Sequence, residues 1–228
     1  MRLLLFIFFF LILTPILSYA KEDEDEGEII IDIIHKTFPG FYETEFIIED
    51  SSDKKLINNR FPITTIILPF KNSNIGENLF YLEEFRDNNP SQIIRRRVYY
   101  FWSENNKVKL KLLNPREELN FTPLDIDYRK DIDNRLKFVR NLNLDDFRPD
   151  RDVCILNISQ YEERVVARMQ TRLCDREGTW IDYELIINGK GMWTCFSRRK
   201  IEDDSLFWLQ MADFPCIWQK RNLRDFTS

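Results

Sequence analysis

The sequence predicts an all-β protein, an antiparallel up-and-down barrel with one or two short helices. Short runs of β-branched and aromatic residues recur along the chain, and several alternate apolar with polar residues. Turn residues separate them over intervals too short for crossover helices, which disfavours a parallel α/β sheet. A chain of 228 residues fits one domain. A net charge of −5 argues against a nucleic-acid partner, which selects a basic excess gathered on one face. Hydrophobic residues at 43% and aromatics at 14% supply a core, while only 6 glycines disfavour Gly-rich phosphate loops.

The chain opens with Met1-Arg2, an apolar run from Leu3 to Leu17, and Ser18-Tyr19-Ala20. Basic start, hydrophobic middle and small-residue end read as a signal peptide over residues 1–20, cleaved after Ala20. Secretion follows as the expected localisation. No second apolar run of that length occurs, so no membrane span is expected after cleavage. Residues 21–27, beginning Lys21-Glu22-Asp23-Glu24, read as an acidic flexible tail. The domain is expected over 28–220, with a C-terminal tail over 221–228.

Ile29 to Ile34 fits either a short helix or a buried strand, because periodicity cannot decide at that length. His35 is expected in a loop beside Pro39-Gly40. Ile63 to Phe70 and Leu79 to Phe85 read as strands joined through Asn72-Ser73-Asn74-Ile75-Gly76. Ile93 to Trp102 follows, then a turn at Ser103-Glu104-Asn105-Asn106. Lys107-Val108-Lys109-Leu110-Lys111-Leu112 alternates strictly, which means one wet and one buried face. Between Asn114-Pro115 and Pro149 the chain is highly charged and reads as loop with a helix over Asn134 to Leu142. Val153 to Ser159 and Arg164 to Leu173 read as a hairpin. Ile181 to Ile187 leads through Asn188-Gly189, a tight-turn signal, into Met192 to Ser197. Leu206 to Gln210 and Phe214 to Gln219 complete the set.

The four cysteines, Cys154, Cys174, Cys195 and Cys216, include no Cys-x-x-Cys pair and read as disulfides of an oxidising compartment. Of three pairings, the local one joins Cys154 to Cys174 and Cys195 to Cys216. His35 is the sole histidine, so neither a metal site nor a His-dependent nucleophile is expected. Asn157-Ile158-Ser159 is a sequon, making Asn157 the expected glycosylation acceptor.

Several segments together resemble the CpcT/CpeT family of phycobiliprotein chromophore lyases. Phe80-Tyr81-Leu82-Glu83-Glu84 is similar to its aromatic-Tyr-x-Glu strand, and Pro90 to Tyr99, with Arg95-Arg96-Arg97-Val98-Tyr99, to the strand that follows. Ile94 stands where the family has Tyr, and Arg96 where it has Gln. Leu112-Leu113-Asn114-Pro115, Leu142 to Phe147, Cys154, Cys174 and Tyr183-Glu184 fall at matching places. Near the C-terminus, Ser197-Arg198-Arg199 and Phe207-Trp208-Leu209 replace Asp-Arg-Gly and Val-Trp-Gly, so two glycines and an acidic residue are missing.

The resemblance implies a calycin/lipocalin-like barrel that holds an open-chain tetrapyrrole and attaches it to a cysteine of an acceptor protein. No cofactor is required beyond the bilin, as ligand or substrate. Such a ligand needs guanidinium groups for its propionates and aromatic walls for its conjugated body. Arg95 and Arg97 share one strand face with Tyr99 and Phe101 and supply both types. The competing reading has Arg96 pointing inward, or all three arginines guarding a solvated edge. Tyr81, Arg198 and Trp208 are further candidates for the lining, with Arg198 and Trp208 equally suited to a packing pair between C-terminal strands. Glu83 is the candidate catalytic acid; its alternative is to neutralise an arginine inside the fold. Two other functions compete with a lyase: a non-catalytic extracellular carrier, and a ligand-free module filled by its own aromatic side chains.

Overall fold

In the computed structural model the described residues are 25–44, 62–86, 89–116, 119, 132–148, 154–169, 172, 174–209 and 216–222. The apolar run at 29–34 belongs to helix α1 (Glu26–Thr37). The Asp25 side chain caps it, accepting from the Gly27 N–H at 2.8 Å. Glu26 and Glu28 occupy its first turn and His35 and Lys36 its last, matching the helix dipole at both ends. His35 is therefore helical, with Nε2 at 3.0 Å from Asn78 Oδ1. Glu26 and Gly27, read as tail, are the first helical residues.

The twelve strands among the described residues are β1 (Gly40–Thr44), β2 (Ile63–Asn72), β3 (Gly76–Arg86), β4 (Ile93–Glu104), β5 (Lys107–Leu113), β6 (Ile155–Tyr161), β7 (Arg164–Met169), β8 (Asp175–Arg176), β9 (Thr179–Asn188), β10 (Gly191–Lys200), β11 (Leu206–Leu209) and β12 (Cys216–Asn222). A second helix, α2 (Ile132–Arg140), lies between β5 and β6. Each strand pairs antiparallel with its neighbours. β12 closes the ring by pairing with β10 on one side and β1 on the other. β8 continues the position of β7 along β9, and β11 continues that of β12 along β10. The result is a closed up-and-down barrel of ten strand positions.

Most expected strands appear at their expected places; β1 and the two-residue β8 are additions. The five residues of β1 are too few for an alternation to register, yet they join the first and last parts of the barrel. Arg221 and Asn222, read as tail, are the end of β12. Of the strand expected over Arg164 to Leu173, β7 comprises Arg164–Met169, and Gln170, Thr171 and Leu173 lie outside the described residues. The Asn188-Gly189 turn forms with the Asn188 side chain accepting from the N–H groups of Lys190 and Gly191, each at 2.9 Å. At the β4–β5 turn Asn105 and Asn106 take the left-handed φ values of 53° and 59°, as a two-residue hairpin requires.

Two buried clusters lie on opposite sides of the sheet. Inside, Ile30 and Ile34 of α1 and the following Phe38 meet Tyr42, Ile67, Phe80, Leu82, Tyr99, Phe101 and inward residues of β5 to β10. α1 thus closes one end of the barrel, packing on β4, β5, β7 and β9. Outside, the face of β1 to β4 carries Phe41, Ile66, Leu68, Leu79, Tyr81, Phe85 and Val98. Val139 of α2, Leu142 and Phe147 cover it. Asn72 fixes this cover by donating to the carbonyls of Arg140 and Leu142 at 2.9 and 2.6 Å.

The disulfides are the local pair, Cys154–Cys174 and Cys195–Cys216, separated by 20 and 21 residues. Each closes a loop expected to stabilise by roughly 3 kcal/mol in the chain-entropy account. Replacing Cys154 and Cys174 together by Ser should lower the urea unfolding free energy by about that amount; an unchanged midpoint would refute it.

Candidate functional site

The site is assembled on β4, whose two faces are both covered. Tyr99 and Phe101 belong to the inner cluster and Val98 to the outer one. The period of two then places Arg95 and Arg97 inward with Tyr99, and Arg96 outward. Their partners follow the same division. Arg95 Nη1 meets Glu84 Oε2 at 3.4 Å, with the two side chains 24% and 8% exposed. The Glu84 carboxylate beside Arg95 holds its guanidinium above the usual value, against an opposing effect of burial. Arg97 donates through Nε to Asn114 Oδ1 at 3.2 Å, and its Cζ stands 6.0 Å from the centre of the Tyr183 ring.

The Tyr99 and Tyr183 hydroxyls are buried and 3.1 Å apart. Burial, with Tyr99 next in effect, pushes the Tyr183 hydroxyl well above the usual range, so it stays a neutral donor. Tyr183 comes from β9, where it alternates inward with Leu185 and Ile187. Around the same wall, Gln219 Nε2 donates to Thr65 Oγ1 at 2.7 Å, both buried. Arg198 is half-buried on β10 and has the parity of the inward residues Met192 and Phe196. The lining therefore changes along the barrel axis. It is apolar and aromatic where α1 enters, and turns to hydroxyl, amide and guanidinium groups toward the opposite end.

Of the expected site residues, Arg95, Arg97 and Tyr99 come together on the inner face. Arg198 reaches the same end through the pairing of β10 with β9. Trp208 lies opposite Arg198 in the β10–β11 ladder; its side chain is outside the described residues. Glu83, the expected catalytic acid, and Tyr81, expected in the lining, are on the other side of the sheet, away from the inward arginines. Glu83 is 1% exposed and receives Arg96 Nε at 2.9 Å on one oxygen, with Arg135 Nε at 3.3 Å from the other. Burial first, and the Glu83 charge beside it next, hold the buried Tyr81 hydroxyl well above its ordinary range. These four residues bolt α2 to the barrel wall.

Glu84 and Asn114 complete the site without having been singled out. Glu84 follows Glu83, so it takes the opposite face of β3, and this parity was the available signal. Asn157 is outward on β6, between the inward Leu156 and Ile158, with Lys109 and Arg168 as strand partners.

No family model and no curated protein matches the chain. Among solved structures it is similar to the selenomethionine CRL protein of Arabidopsis, at 14% identity and a TM-score of 0.52 over 86% of this chain and 97% of that one, a likeness of fold.

Proposed function

We propose that this protein is a carrier that holds a small apolar ligand of the open-chain tetrapyrrole class at the end of the barrel opposite α1. The observation that carries this reading is the inward set Arg95, Arg97 and Tyr99, placed where the lining passes from aromatic to cationic. A guanidinium group matches a propionate of a bilin, and tyrosine rings match its planar body. Carriage is favoured over lyase chemistry because Glu83, the expected acid, is bound by two arginines outside the lumen. Glu84, the carboxylate beside the inward arginines, is itself paired with Arg95.

The disulfides suit an oxidising compartment, in keeping with a leader at residues 1–20 and secretion. Asn157, outward on β6, is then the glycan acceptor we assign. No helix among the described residues is long and apolar enough to cross a membrane.

Absorbance and fluorescence titration of the secreted protein with biliverdin tests the reading. Saturable binding is expected, weakened in Arg97→Ala and in Arg95→Ala, which leaves Glu84 uncompensated beside the ligand, with no covalent transfer when an acceptor thiol is added. Absence of binding would dismiss the carrier; transfer to the thiol would restore the lyase.

A further inference from the structure

The polar groups at the inner wall do not balance, and the imbalance has a definite size. Arg95 is compensated, since Glu84 faces it across the β3–β4 ladder. Arg97 is not. Its Nε is engaged by Asn114, a neutral amide, while its Nη1 is shielded from water with no hydrogen-bond acceptor among the described residues. A buried guanidinium donor without an acceptor has lost its water with nothing in return, and the loss is greater because it is charged. The Tyr99–Tyr183 pair beside it has the same bias. Two hydroxyls carry two protons, and one proton at most is spent on the other oxygen. One O–H therefore remains as a donor next to the ring over which Arg97 stands. The cluster holds a cation and surplus donors, with no carboxylate of its own among the described residues.

We infer that Arg97, Tyr99 and Tyr183 form a subsite for a single ligand carboxylate. Resting on the carrier reading, this adds that a bilin buries one propionate against Arg97 and leaves the other in water. Arg95 does not take the second, because Glu84 already occupies it. The class of ligand served is any flat or elongated apolar molecule ending in one carboxylate, and a dicarboxylate gains nothing from its second group.

Biliverdin, its monomethyl ester and its dimethyl ester separate these statements. The diacid and the monoester should bind alike, while the dimethyl ester should lose roughly tenfold or more, the effect of one charge-assisted hydrogen bond. Arg97→Gln should bring the diacid down to the level of the diester and leave the diester unchanged. Tyr183→Phe should weaken the diacid alone, and circular dichroism checks that both variants fold. A monoester midway between diacid and diester would mean that two carboxylates are bound, and would overturn the inference with the carrier intact. Equal binding of all three ligands would do the same. If no bilin binds, the carrier reading for bilins falls by itself, and decanoate titrated against ¹⁵N-labelled protein decides the subsite. A saturable shift of the Arg97 Nε–H signal upholds it, and no shift removes it.

Discussion

Glu83→Ala is expected to lower the unfolding free energy by about 3–5 kcal/mol, the usual cost of breaking a buried charge cluster by removing one partner. The substitution takes from Arg96 and Arg135 the carboxylate on which their guanidinium groups converge, itself 1% exposed. Biliverdin affinity of the folded fraction should be unchanged, because the cluster lies beneath α2 on the outer face. A variant of unchanged stability that loses binding would return Glu83 to the ligand site. Denaturant unfolding and ligand titration of the same preparation distinguish the outcomes.

Phe38→Ala is expected to cost a similar 3–5 kcal/mol, from lost burial and from the cavity left behind. Phe38 is fully buried and meets Phe80, Tyr99 and Phe101 edge-on, at ring separations of 5.3, 5.3 and 5.7 Å. It anchors α1 in the barrel, so its loss should also raise hydrogen exchange along residues 26–37. Exchange that rises evenly over the whole barrel would show that the helix is not a separable closure. Gly27 gives an independent test of how closely α1 approaches β4. A Cβ there would fall 2.2 Å from Ser103 Oγ, so Gly27→Ala should destabilise, where an Ala inside an open helix would be neutral or better. A gain in melting temperature would refute that fit.

Much of the barrel was legible from residues alone because alternation and turn chemistry are local. Lys107 to Leu112 declares its wet and dry faces by itself, and Asn188 builds its turn with its own side chain. What could not be read depended on distant parts of the chain. β4 has arginines and aromatics on both faces because both are buried, one by the lumen and one by α2, so polarity could not say which arginine points inward. Glu83 and Glu84 are chemically alike; only the long-range arrival of Arg135 separates a bolt from a lining residue. β1 is too short to announce itself, and α1 was settled by its Asp25 cap and dipole-matched ends rather than by its run of isoleucines.

The shared strand positions, β7 with β8 and β11 with β12, flank the long β9–β10 hairpin on both sides. Both splices fall at the end remote from α1, leaving the α1 end framed by unbroken ladders. Each splice also carries a disulfide, Cys154–Cys174 beside β8 and Cys195–Cys216 at the start of β12, so the wall is tied covalently where one strand hands over to the next.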